Sequence, residues 1–268
     1  MPLPEIKTVS FAGSGNVASN LAPALKRAGL VIRNVCSRNL HHASALAAIV
    51  NALPVESLED LRMDTDLLIL ALPDKAIPDI AIDLRRSGRF KGIVAHTSGS
   101  LSLDVISRQG LQGGVFYPLQ SFTKHSSPDI AKVPFCIEGT SSEIEIALAA
   151  VARKLSSDVR FLDSLQRASI HLAAVFANNF TNYMYAVADC LLANCDVNPD
   201  ILLPLIQETA LRLKGGDAAQ LQTGPAVRAD WPTIDQHLEL LKQNPELAEV
   251  YKLISSHIVK LKNSGKAC

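Results

Sequence analysis

Residues 13–18 read Gly13-Ser14-Gly15-Asn16-Val17-Ala18, a G-x-G-x-x-A spacing that follows a strand-like run and opens a helical pattern. Each position has a chemical reason in a phosphate-binding turn. Gly13 permits the tight turn after the strand. Gly15 lets the backbone approach a pyrophosphate at the positive end of the next helix, and the small Ala18 lets that helix pack close to the sheet. With Ser14, Asn16 and Val17 these residues form the expected dinucleotide cradle; a glycine-rich turn without a ligand is the plain alternative. The second strand ends in Cys36-Ser37-Arg38-Asn39, where NAD sites usually place an Asp or Glu for the ribose 2′-hydroxyl. No acid stands there. Arg38 offers a planar guanidinium and Ser37 a hydroxyl to a 2′-phosphate, so NADP is expected over NAD, unless Arg38 is only a solvated surface residue.

Two more segments belong at the carboxyl ends of central strands, where ligands of open α/β sheets bind. "LALPDKAI" (70–77) brings Ala71, Leu72 and Pro73, whose fixed φ stops the strand at the cofactor edge. "HTSGS" (96–100) brings Thr97 and Ser98. Either segment could be an ordinary loop.

Far downstream, His171, Asn178, Asn182 and Asp189 fall in a stripe about 40° wide at 100° per residue, on a segment otherwise rich in apolar side chains. A helix apolar on most sides is expected to be buried, so its polar stripe needs partners from protein, water or ligand. If the stripe faces a cleft, His171 could donate a proton while Asn178 and Asn182 bind a carbonyl, imine or carboxylate. It could equally bond the protein's own backbone or pack against a second copy. "QTGPAVRAD" (222–230) adds Gln222, Thr223 and Arg228 as candidate substrate contacts, with Arg228 able to clamp a carboxylate or to pair with Asp230 or Glu208. No H-E-x-x-H or clustered-acid pattern suggests a metal, and no G-x-S-x-G elbow suggests a serine nucleophile.

The elements that must hold these residues alternate over the first 160 positions. Strands are expected at 7–13, 31–37, 66–72, 92–98, 113–118 and 134–139, with helices at 16–28, near 41–50 and near 75–87. This is the pattern of a doubly wound, mostly parallel α/β sheet of the Rossmann-like kind. After it the pattern is helical only: 164–193, a second helix from Asn198-Pro199, a third with a candidate Thr233–Gln236 capping box, and a fourth at 245–262. The expected division is therefore a dinucleotide-binding domain at 1–160 and an all-α domain at 161–268.

The 268 residues are 48% apolar and 19% charged, and 26 basic side chains balance 26 acidic ones. Without a basic excess, nucleic acid is not an expected partner. Five cysteines without C-x-x-C spacing point to reduced thiols and a cytoplasmic protein. The 21 residues from Ala168 to Ala188 lack Asp, Glu, Lys and Arg, yet His171, Asn178, Asn179, Thr181 and Asn182 argue against a membrane span.

Together, "FAGSGNVA", the "SR" after the second strand, "ALPD", "HTSGSLSLDVI", "GVFYPLQSF", "IHLAAVFANNFTNYMY" and "QTGPAVRADWPTIDQHL" resemble a group of NADP oxidoreductases. That group has a Rossmann-like domain followed by a helical domain of unknown function, and often carries a deazaflavin-dependent label. The chain is more distantly similar to pyrroline-5-carboxylate reductase and the β-hydroxyacid dehydrogenases. The resemblance implies an inter-domain cleft for a small-molecule substrate and a homodimer through the carboxyl-terminal helices. The catalytic lysine of the β-hydroxyacid dehydrogenases has no counterpart, since Ala174 and Val175 stand one turn before Asn178 and Asn179. The expected activity is hydride exchange between NADPH and a small carbonyl or imine. A non-catalytic NADP-binding regulator and a prephenate-dehydrogenase-like oxidation are the alternatives.

Overall fold

The structure, a computed structural model, describes residues 5–62, 64–124 and 128–265. Its strands are β1 (Thr8–Ala12), β2 (Val31–Cys36), β3 (Leu53–Val55), β4 (Leu67–Leu70), β5 (Ile93–His96), β6 (Gly113–Pro118), β7 (Phe135–Gly139) and β8 (Val159–Phe161). They form one sheet in the order β3-β2-β1-β4-β5-β6-β7-β8. All neighbours run parallel except β6 and β7. The order reverses between β1 and β4, which sets the ligand crevice of a doubly wound sheet at their carboxyl ends.

Burial explains the sheet. All four residues of β4 are fully buried, with Leu67 and Ile69 in one apolar layer and Leu68 and Leu70 in the other. A strand covered on both faces reads as a continuous apolar run, which is why β4 was visible in the sequence. One layer is closed by α1 (Asn16–Arg27), α2 (Leu40–Val50) and, later in the chain, the helix Ser142–Arg153. The opposite layer is closed by α3 (Ile77–Ser87) and the short α4 (Asp104–Ser107). The Ser142–Arg153 helix is α5; Ser141 accepts a hydrogen bond from the Ile144 N–H at its start. Neither α5 nor the short, proline-bearing β3 was anticipated.

The helical run expected over 164–193 consists of α6 (Ser164–Ala174), a π-helical stretch (Val175–Phe180) and α7 (Thr181–Ala193). It starts at a full capping box, with Asp163 and Gln166 each bonding the other's backbone N–H. Two corrections follow. The run is not buried: Arg167 is its only buried side chain, whereas Leu172, Phe176 and Phe180 are 60%, 63% and 49% exposed. The constant 100° step also fails across the π turn, where Thr181 Oγ1 donates to Phe176 O, five residues back.

By its contacts the chain divides into two compact units, Met1–Asn182 and Tyr183–Cys268. The second holds most of α7, then α8 (Leu203–Arg212), α9 (Pro225–Arg228), α10 (Trp231–Leu240) and α11 (Pro245–Ser264). Asn198 caps the 3₁₀ turn that leads into α8, as its Asn-Pro pair suggested. The expected Thr233–Gln236 box is not the start of α10. Asp230 caps that helix instead, accepting from both the N–H and the hydroxyl of Thr233, which places the first turn three residues earlier. Cys36, Cys136, Cys190 and Cys195 are free thiols, and Cys268 lies outside the described residues. Among the described residues no helix is long and apolar enough to cross a membrane.

Candidate functional site

The ends of β3, β2, β1 and β4 are stitched side by side. Gly13 N–H donates to Cys36 O at 2.8 Å, Ala71 N–H to Ala12 O at 2.8 Å, and Ser37 N–H to Val55 O at 3.0 Å. Gly13 sits at φ +108°, and a Cβ there would stand 2.1 Å from Ala71 O, so neither the conformation nor the space admits a side chain. Gly15 differs: it has an ordinary φ of −81°, and nothing lies within 4 Å of its missing Cβ. It is also the N-cap of α1, with no side-chain cap and no acid in the first turn. The α1 N-terminus thus presents backbone donors and the positive end of the helix dipole to an open space, which fits a pyrophosphate.

That space is a cleft of ≈ 1190 Å³. Gly13, Ser14, Gly15, Ser37, Arg38, Ala71, Leu72 and Pro73 all line it; Asn16 and Val17 open α1 beside it without lining it. Arg38 forms no ion pair among the described residues. The cleft also takes His42, Lys75 and Lys124, and Glu56 and Glu59 from the segment after β3. These carboxylates were missed because β3 itself was. Cys36 lines the cleft as an inert thiol, pushed up to about 11 by burial and by the Asp60 charge.

Thr97 and Ser98 lie at the end of β5 but do not line this cleft. Both hydroxyls bond the protein itself, Thr97 to the end of β4 and Ser98 within its own loop. Thr97 Oγ1 donates to Leu70 O at 3.4 Å, while Ser98 Oγ accepts the Ser100 and Leu101 N–H groups at 3.2 and 3.0 Å. Ser100 Oγ in turn donates to Asp74 Oδ2. Just before the loop, His96 is fully buried and its Nδ1 accepts the Ser98 N–H at 3.3 Å. Burial, reinforced by the Arg167 charge, pushes His96 down to about 4 from 6.5.

A depressed histidine means the unfolded chain binds the proton more tightly. The stabilisation from neutral His96 is therefore complete above about pH 6.5 and is lost as the pH falls through 4. The loss amounts to about 3 kcal/mol. In urea unfolding at pH 7 and pH 4.5, His96→Asn, which keeps an acceptor for Ser98, is expected to show a clearly smaller stability difference than the parent. Equal differences would remove His96 from the acid limb.

The loop carries a second glycine that must be one. A Cβ on Gly99 would stand 2.7 Å from His171 Nδ1 and 2.8 Å from Tyr117 Cζ, so the backbone lies directly against both rings. Tyr117, near the end of β6, and His171, on α6, are hydrogen-bonded at 3.1 Å between the phenol oxygen and Nδ1. Burial pushes the Tyr117 phenol up to about 12, so it keeps its proton. His171 is its one hydrogen-bond partner among the described residues. When the phenol donates to Nδ1, the imidazole proton lies on Nε2. Asn178 Nδ2 donates to Ser121 Oγ at 2.7 Å, just beyond β6. His171 and Asn178, two of the four stripe residues, thus meet the same strand end. Asn182 is exposed and forms no side-chain hydrogen bond among the described residues. Tyr117 was not singled out from the sequence, although it stands in "GVFYPLQSF"; its pairing with a histidine 54 residues away has no local signature.

Gln222, Thr223 and Arg228 belong to the second unit. Gln222 Nε2 donates to Thr223 O at 3.0 Å. Arg228 is exposed and 3.9 Å from Asp230, while Glu208 pairs with Arg212, which decides between the two partners considered for Arg228. Among the described residues, no group of three His, Cys, Asp or Glu side chains is placed to hold a metal.

Two family models match the chain: a Rossmann-like domain over residues 4–120 and "Domain of unknown function (DUF2520)" over residues 133–258. No curated protein matches. Among solved structures, a "putative NADP oxidoreductase" from Bacteroides fragilis is 38% identical with a TM-score of 0.90, the match covering 95% of this chain and 98% of that one. A 1-pyrroline-5-carboxylate reductase from Streptococcus pyogenes shares the fold at 15% identity and TM-score 0.62, covering 96% and 98%. An imine reductase from Myxococcus stipitatus in complex with NADP⁺ shares it at 16% and 0.61, covering 98% and 95%. The chain belongs, with the Bacteroides fragilis protein, to the family that joins a Rossmann-like domain to a DUF2520 domain.

Proposed function

We propose that this protein is an NADP(H)-dependent oxidoreductase that exchanges a hydride between the nicotinamide and a small carbonyl or imine compound. The observation that carries the reading is the open, uncapped turn at Gly15, in one cleft with the unpaired Arg38. The description of the Bacteroides fragilis relative and the NADP⁺ complex of the imine reductase support it.

NADPH, when bound, supplies the hydride. The chain's residues bind and orient. Gly13, Ser14 and Gly15 with the first turn of α1 receive the pyrophosphate, and Ser37 and Arg38 take the 2′-phosphate, with His42 beside them in the cleft. His171 hands its Nε2 proton to the substrate oxygen or nitrogen as that atom gains electrons, while Nδ1 takes the Tyr117 phenol proton and solvent returns a proton to the pair. Tyr117 and the Gly99 backbone hold the ring in place. The proposal also takes the protein as a homodimer through its carboxyl-terminal helices, a reading supported by the exposed Leu203, Leu205 and Leu211 of α8.

A panel of keto acids, cyclic imines and hydroxy acids, followed at the nicotinamide absorbance in both directions, tests the activity. NADPH oxidation with at least one carbonyl or imine is the expected result. Tight NADPH binding with no turnover across the panel would make the protein a cofactor-binding regulator instead.

A further inference from the structure

One side chain of α6 is entirely buried, and it is charged. Arg167 has no exposed surface, and its guanidinium bonds the Glu138 carboxylate of β7, the backbone oxygen of Leu101 and, at 3.2 Å, Ser164 Oγ. Ser164 completes the cluster. Its hydroxyl donates to Glu138 and accepts the Leu103 N–H at 2.9 Å, and its own N–H donates to Glu138 at 3.1 Å. The first turn of α6 therefore grips the loop after β5 at two points, Leu101 and Leu103, and ties both to β7.

Burying a guanidinium and a carboxylate is costly, and an apolar pair would fill the same space at no electrostatic cost. Such a cluster is best explained by the geometry that it imposes. Arg167 lies one helical turn before His171, and Leu101 lies two residues after Gly99, the backbone that rests against the His171 ring. The clamp thus fixes both sides of one contact: the helix that carries the imidazole and the loop that faces it.

We propose that Arg167, acting with Glu138 and Ser164, is a positioning residue that sets the His171 ring against Gly99 and Tyr117. The proposal rests on His171 being the proton donor, but its test can be read without turnover. Arg167→Lys keeps the charge and loses the planar fork. Should that chain fail to fold, the double substitution Arg167→Met with Glu138→Gln removes both charges at similar volume. With ¹⁵N-labelled histidine, the parent is expected to show neutral His171 as a single Nε2–H tautomer. Either folded variant should show a tautomer mixture, a ten- to hundredfold lower kcat and an unchanged KM for NADPH. A folded variant whose His171 stays in a single tautomer with parental kcat overturns the positioning role. Tautomer mixing in the variant, together with full turnover by His171→Ala, would instead sink the proton-donor reading and leave the clamp standing.

Discussion

Gly13→Ala is expected to disrupt the carboxyl end of the sheet and abolish NADPH binding, whereas Gly15→Ala, two residues on, should weaken binding at least about tenfold and leave the fold intact. The contrast follows from what surrounds each α-carbon. At Gly13 the backbone holds φ +108°, and an added Cβ would lie 2.1 Å from Ala71 O and 2.8 Å from the Ala71 carbonyl carbon. Those are backbone atoms of the neighbouring strand end and cannot swing away. Ala71 is itself pinned by its N–H bond to Ala12 O. Conformational strain and the clash together cost about 3 kcal/mol or more. Gly15 has a common backbone conformation and open space around its missing Cβ, so alanine there should change stability by less than about 1 kcal/mol. The methyl group would fill the space assigned to the pyrophosphate and weaken NADPH by about tenfold or more, which is at least ~1.4 kcal/mol. Thermal melts with and without NADPH check both: a lowered melting point for Gly13→Ala, and an unshifted melting point with reduced ligand stabilisation for Gly15→Ala. Full NADPH stabilisation of Gly15→Ala would contradict the cradle.

His171→Ala is expected to lower kcat by about a hundredfold or more while leaving NADPH affinity unchanged, since general acid catalysis contributes about 10²–10⁴-fold. The cofactor cleft is lined without His171, so a binding defect is not expected. Tyr117→Phe removes the hydroxyl that contacts Nδ1 at 3.1 Å but keeps the ring beside Gly99. It should lower kcat about tenfold, because the imidazole loses the partner that fixes its tautomer. Steady-state kinetics of both variants on any substrate found in the panel provide the check. Unchanged turnover by His171→Ala would remove the proposed donor.

The fold was legible wherever one local rule governed. β4 showed itself as an unbroken apolar run, and Gly13 and Gly15 as a turn whose spacing has steric reasons. The expected sheet and its helical continuation match the structure, and the family resemblance is met by both domain models and the 38% identical relative. What stayed hidden depends on tertiary contact or on a break in periodicity. The π stretch at Val175–Phe180 invalidates a constant angular step, although His171 and Asn178 still reach one strand end. Thr97 and Ser98 are the residue types that bind ligands, yet their hydroxyls bond the end of β4 and the loop's own backbone. Arg167 has no local signature, because only its pairing with Glu138, 29 residues away, shows that it is buried.

Isothermal titration of the protein with NADPH and then with NADH tests the central claim most directly. The account predicts NADPH to bind at least tenfold more tightly, about 1.4 kcal/mol or more from contacts to the 2′-phosphate. It also predicts that Arg38→Ala brings NADPH down to the level of NADH while leaving NADH unchanged. Equal affinities in the parent protein, or tighter NADH, would contradict it.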